Sequence, residues 1–303
     1  MSGAVPREQP AGWRAATLGS RIARMRLGVA VPSGRFRFSV ILLGAIVVFA
    51  VLGPIVLGRD DPLKIVGGLY DPPSKAAWLG TDNFGRDVFT QLMHGTRTSL
   101  VIGGIAGAVA TAIGVVLGTV AGFRGGLVEE ALMGLTNVIL TIPSIVVLIL
   151  LSIAVGNRSI VTMAIIIGVT SWPWTARAIR AQTSSLRTRE HVDIARMCGA
   201  GTLSLIAWEI LPFMLSYVVL AFVLQMASGI LQEAALSLLG LGPGDGTISL
   251  GIMLHWSLRW ESVRTGAWWA FVPPTVLLTV IAFSLLLLQS SMDEFFNPRL
   301  RRK

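Results

Sequence analysis

The chain has 303 residues, of which 53% are hydrophobic and 14% charged, with a net charge of +9. Soluble domains carry about 25% charged residues, so this chain lacks the polar side chains that cover an aqueous surface. Its basic residues sit between apolar blocks rather than on one solvated face, which argues against a nucleic-acid partner.

In chain order, residues 1–37 form a basic arm with Arg7, Arg14, Arg21, Arg24, Arg26, Arg35 and Arg37. Charge-free runs follow at 38–58, 98–123, 131–157, 159–176, 210–232 and 265–292. A helix needs about 20 residues to cross the hydrocarbon core and satisfies its own backbone in lipid. The pattern therefore predicts an all-α membrane protein with six transmembrane helices. The first run, preceded by a long polar stretch and longer than a signal-peptide core of about 7–15 residues, is expected to be a retained helix.

An even number of spans puts both termini on one side. That side collects the arm, the tail 293–303 with Arg299, Arg301, Arg302 and Lys303, and the basic segment 177–212. The opposite loop, 59–97, offsets its basic residues with aspartates. Both termini are thus expected to be cytoplasmic in a multi-pass protein of the cell membrane, with Trp256, Trp260, Trp268 and Trp269 forming an outer aromatic belt.

Within the outer loop, turn residues and mixed charge at 80–86 predict a structured segment. Asp82, Arg86 and Asp87 can form local ion pairs there or contact an extracytoplasmic partner. Gly103/Gly107 and Gly114/Gly118 in the second run are spaced for close helix packing. Pro143 and Pro173 are expected to kink their helices. Asn137, Gln225 and Gln289 suit interhelical hydrogen bonds. Glu233 is either a buried functional carboxyl or a hydrated one at the outer interface. Residues 234–258 read as a loop with an interfacial segment.

The core 98–292 contains one long inner loop, 183–212. Two short helices joined by Gly199-Ala200-Gly201 would make a knob able to dock in a partner's groove, or a helix pair resting on lipid headgroups. Cys198 reads as a small apolar helix residue, and His94, His191 and His255 are too scattered to form a recognisable metal cluster. No lysine follows a phosphate-cradling glycine loop, the runs hold no Asp, Glu or His relay, and no catalytic constellation stands out. No cofactor is expected on this chain, and it is not read as an enzyme.

Several motifs carry a resemblance. Asp193-Ile194-Ala195, three residues, Gly199 and then Leu211-Pro212 are similar to the EAA loop of ABC importer permeases, with Asp193 for Glu, Ile194 for Ala and Glu209 at an apolar position. Leu79-Gly80-Thr81-Asp82-Asn83-Phe84-Gly85-Arg86-Asp87, followed by Gly95-Thr96-Arg97-Thr98-Ser99-Leu100, resembles the LGTDxxGRD…GxRxSL signature. Gln232-Glu233-Ala234-Ala235-Leu236-Ser237-Leu238-Leu239-Gly240-Leu241-Gly242 resembles EAALSFLGLG, and Asn297-Pro298-Arg299-Leu300-Arg301 resembles DPRLR. These mark the C-type membrane subunit of dipeptide/oligopeptide/nickel importers.

The resemblance implies a type I ABC importer permease fold with cytoplasmic coupling helices. The implied partners are a second homologous permease, two ATP-binding cassette subunits that hold MgATP, and an extracytoplasmic substrate-binding protein. It places the ATPase-coupling loop on Arg189, Glu190, Asp193, Ala195, Arg196, Gly199, Ala200, Leu211 and Pro212. Glu233, Gln225 and Asn137 are the candidates for the translocation path or gate. Peptides are the expected cargo, with nickel chelates or oligosaccharides as alternatives. A stand-alone carrier or channel and a membrane scaffold are the rival classes.

Overall fold

A computed structural model describes residues 34–156, 158–244 and 246–296. The arm up to residue 33, Asn157, Asp245 and the tail motif at 297–301 lie outside the described residues. The helices are α1 (Gly34–Leu57), α2 (Val88–Arg124), α3 (Gly126–Thr141), α4 (Ser144–Val155), α5 (Ile160–Leu186) and α6 (Glu190–Met197). A helical turn at Thr202–Ser204 and a π-helical turn at Leu205–Ile210 lead into α7 (Leu211–Leu238), followed by α8 (Leu250–Arg259) and α9 (Trp268–Phe296).

Among the described residues, four helical segments, α1, α2, Thr202–Leu238 and Trp268–Met292, are long and apolar enough to cross a membrane, or five if α3 and α4 make one bent span. The count of six rested on treating α5 as a span. Its second half carries Thr170, Ser171, Pro173 and Thr175 and then Arg177 and Arg180, which takes it out of that set.

Charge-free runs misplaced several ends because a paired charge can continue a helix. The second helix starts at Val88 rather than 98, since Asp87 caps it and Arg97 is accommodated within it. The fourth continues past 176 to Leu186: Arg180 pairs with Glu129, and Arg187 donates to the Phe123 carbonyl at 3.1 Å. The run 131–157 is two helices, bent by 86° at Ile142-Pro143. Proline has no N–H to continue the ladder and disfavours the α region for the residue before it, and Ile142 is extended at φ −87°, ψ 127°. Pro173, by contrast, lies inside the uninterrupted α5.

Small residues set the central seams. A Cβ on Gly118 would sit 2.6 Å from the Ala176 carbonyl oxygen, and one on Gly114 2.6 Å from Thr175 Cγ2, so α2 and α5 pack at backbone distance. On another face of α2, Gly107 would place a Cβ 2.9 Å from the Met226 amide of α7. Within the stretch 234–258, read as a loop, residues 250–259 form a helix packed on α7. Ser249 caps α8 through the Ile252 amide at 3.1 Å, and Leu250, Gly251, Ile252 and Met253 are buried. Gly251 allows this, because a Cβ there would lie 2.7 Å from Ala234 Cα on α7. One end of the bundle carries the 58–87 loop and α8. The opposite end carries α6, whose Val192 joins Ile179, Leu205, Ile210 and Met214 in a buried cluster.

Candidate functional site

The loop 58–87 is built around its aspartates, but not by the expected local pairs. Asp87 caps α2 through the Phe89 and Thr90 amides and forms its ion pair with Arg59. Asp82 accepts from the Phe84 and Arg86 amides at 2.8 and 2.9 Å and from Gln91 Nε2 at 2.6 Å. Arg86 instead lays its guanidinium over Phe84, 4.4 Å from the ring centroid, and near Trp256 at 5.3 Å. Trp269 donates to the Thr81 carbonyl at 3.1 Å, and Tyr70 to that of Trp260 at 3.0 Å. Burial, and then the Asp82 charge, raise the Tyr70 phenol above its ordinary pKa. The tryptophans thus fasten the loop to α8 and α9. Asp87→Ala should lower stability by about 1–2 kcal/mol through the lost cap, while Asp87→Asn, which keeps an accepting oxygen, should lose less; thermal unfolding of the purified complex measures both.

Glu233 is fully buried. It accepts from Ser249 Oγ at 2.6 Å, Ser237 Oγ at 2.7 Å and Ser99 Oγ at 3.2 Å, and Ser99 Oγ itself accepts from the Leu250 amide at 3.2 Å. The carboxyl therefore joins α2, α7 and the start of α8. The hydrated-interface alternative does not hold, since the group is closed off by its own helix and two others. The serines were not singled out as partners from the sequence. Only Glu233/Ser237, at i,i+4 on one helix, was readable.

A cavity of about 700 Å³ opens between the α3–α4 bend, α5 and α7. Ile139, Pro143, Val147 and Leu151 give one apolar wall; on the other, Ser171, Gln225, Ser228 and Gln232 place polar groups among Val169, Trp172, Trp174 and Leu224. Gln225 Nε2 donates to the Ser171 carbonyl at 2.9 Å and to Thr175 Oγ1 at 2.8 Å. Gln232 Nε2 donates to Ser228 Oγ at 2.9 Å and Ser171 Oγ at 3.2 Å. The three candidates for the path or gate thus lie in three different places. Gln225 lines this cavity, Glu233 lies in the α2–α7–α8 seam, and Asn137 lines a different hollow, accepting from Arg177 at 2.6 Å beside Glu129 and Arg180.

At the opposite end, α6 closes with a Schellman motif. The Gly199 amide reaches the Arg196 carbonyl at 3.0 Å, the Ala200 amide reaches that of Ala195 at 3.1 Å, and Gly199 has φ +86°. Val192 and partly buried Ala195 and Ala200 face the bundle, whereas Arg189, Glu190, Ile194, Arg196 and Met197 are exposed. Asp193 and Arg196 pair at 2.8 Å on the surface. Leu211 and Pro212 start α7, and Trp208 just before them is 74% exposed. Cys198 is exposed at the helix end, not packed within it. Each histidine has a ring nitrogen against a backbone carbonyl: His94 on Arg59, His191 on Glu209 and His255 on Leu238.

A bundle of long apolar helices with an open cavity lined by uncharged side chains and a protruding, half-apolar loop is the architecture of an integral membrane protein. The chain belongs to the family of binding-protein-dependent transport system inner membrane components, whose pattern matches residues 114–302. It is 30% identical over 255 residues to the dipeptide transport system permease protein DppC of Bacillus subtilis, covering 84% of this chain and 79% of that one. It is 32% identical to the di/tripeptide transport system permease protein DppC of Pseudomonas aeruginosa, covering 84% and 85%. Its fold is similar to a chain of the inward-facing MetNI methionine ABC transporter, with a TM-score of 0.53, 15% identity, and 68% of this chain and 96% of that chain covered.

Proposed function

We propose that this chain is the transmembrane permease subunit of an ATP-driven, binding-protein-dependent importer of di- or oligopeptides. The peptide permeases among its relatives support the cargo. The observation that carries the reading is the α6 knob: a buried base fixed to α2, α5 and α7, with Ile194, Met197, Leu203 and Trp208 turned outward where none of the described elements covers them. Such a face suits the groove of another subunit. In this reading, residues 183–212 are the coupling loop, received by one of two ATP-binding cassette partners. MgATP is bound and hydrolysed there, and this chain has no catalytic site of its own.

A second, homologous permease completes the passage, and an extracytoplasmic protein delivers cargo to the end carrying the 58–87 loop. α5, sheltered against α2, serves as the sixth span. Both termini then lie in the cytoplasm, beside the knob. ATP binding pulls the knob and tilts α5 and α7, turning the cavity from one side to the other.

Purification of the C-terminally tagged chain from its host, with mass spectrometry of what accompanies it, tests the reading. A second permease and two P-loop ATPases are expected; recovery of this chain alone, carrying substrate by itself in liposomes, would replace it with a stand-alone carrier. Gly199→Val should uncouple ATPase activity from uptake. The residue sits at φ +86°, which a β-branched side chain resists, so the helix ending must change. Wild-type uptake with wild-type ATP stimulation in that variant would remove the coupling role from this loop.

A further inference from the structure

Gln232 and Glu233 are neighbours in sequence and are sorted to different surroundings. Successive helix residues are about 100° apart around the axis. On α7 this turns Glu233 into the serine-lined seam and Gln232 into the cavity. Gln225, Ser228 and Gln232 fall at i, i+3 and i+7, one stripe along the helix. Among the described residues lining the cavity there is no ionisable side chain. The Arg177 guanidinium is engaged by Asn137 in the neighbouring hollow.

We propose that Gln232 sets the charge selectivity of the passage: its neutral amide, paired with the Ser171 and Ser228 hydroxyls, meets the cargo without a charge, whatever charge the cargo's side chains carry. The proposal rests on the peptide-importer reading. Amide and hydroxyl groups both donate and accept, which matches a peptide backbone, and a neutral wall neither attracts nor repels a lysine or a glutamate side chain. Gln225 supports this role from below: its nitrogen is committed to Ser171 and Thr175, and its carbonyl oxygen has no partner among the described residues.

Gln232 is the position to change, because its partners Ser171 and Ser228 present hydroxyls that can serve either a donor or an acceptor. Gln225 also donates to a backbone carbonyl, which a carboxylate would repel. The test uses the complete complex, with its ATPases and binding protein, in proteoliposomes. Uptake of Ala-Ala, Lys-Lys and Glu-Glu is compared at saturating loading of the binding protein. A unit charge at the wall should change the Lys-Lys to Glu-Glu uptake ratio by about tenfold or more, since attraction of one peptide and repulsion of the other reach that even with water-like screening. Gln232→Glu should raise that ratio and Gln232→Lys should lower it. Both variants must co-purify with the partner subunits, a readout separate from transport. If the wild type transports these peptides and both assembled variants keep its ratio, the selectivity role falls while the importer reading stands. If the wild-type complex transports none of them, the peptide reading falls and takes this proposal with it.

Discussion

Glu233→Leu should destabilise the folded protein strongly. The carboxyl is the common acceptor for Ser99, Ser237 and Ser249, and all four side chains are buried. Leucine removes the acceptor and leaves three hydroxyls to find new partners in a packed seam. Each orphaned buried donor costs about 1–3 kcal/mol. Ser237, on the same helix, can turn to a carbonyl one turn back, so we expect a total loss of about 3–5 kcal/mol. In thermal unfolding of the purified complex this corresponds to a fall of roughly 10 °C. Glu233→Gln, which keeps an accepting oxygen and the shape, should lose far less. A leucine variant as stable as the wild type would show that the seam is held by its apolar contacts and not by the carboxyl.

The second large effect is expected at Gly118. A Cβ there would meet the Ala176 carbonyl oxygen at 2.6 Å and Ile179 Cβ at 2.8 Å. A carbonyl in the middle of α5 cannot swing aside, so the helices themselves must part. Gly114 and Gly122 lie one turn to either side on the same seam, and a Cβ on Gly122 would meet the Arg180 carbonyl at 2.5 Å. Gly118→Leu should therefore separate α5 from α2 along several turns and abolish recovery of assembled protein. Gly118→Ala should already cost about 1–3 kcal/mol, the usual range for overpacking. Gly104→Ala is the matched control, since a Cβ there meets nothing within 4 Å; its yield and melting temperature should equal or slightly exceed those of the wild type. Equal tolerance at the two glycines would mean that the α2–α5 seam is looser than its geometry indicates.

The sequence made the membrane class legible because long runs without charge have no stable place in water. It also marked the small-residue spacings on α2, which the packing uses, and the motifs that gave the family. It did not place the helix ends. A charge stops an apolar run on paper, but Arg180 continues α5 because Glu129 meets it, and Arg97 lies well inside α2. Nor could apolarity alone distinguish one span from two helices at 86°, although Pro143 was the residue responsible. The turn at Gly199 and the Leu211-Pro212 start of α7 were readable from local chemistry, since glycine tolerates positive φ and proline suits a first helical turn.

What the sequence by itself determined was composition, local backbone preference and the order of elements, all properties of residues close together in the chain. The grouping of the candidate side chains was decided by tertiary structure. Asn137, Gln225 and Glu233 look alike as polar residues in apolar runs, yet they occupy a hollow beside Arg177, a cavity wall and a serine-lined seam. The Ser99 partner of Glu233 lies 134 residues away, brought there by the packing of α2 on α7 and α8. Which neighbour a side chain meets depends on how helices rotate and cross. That is set by long-range packing of small and large residues, and no window of sequence contains it.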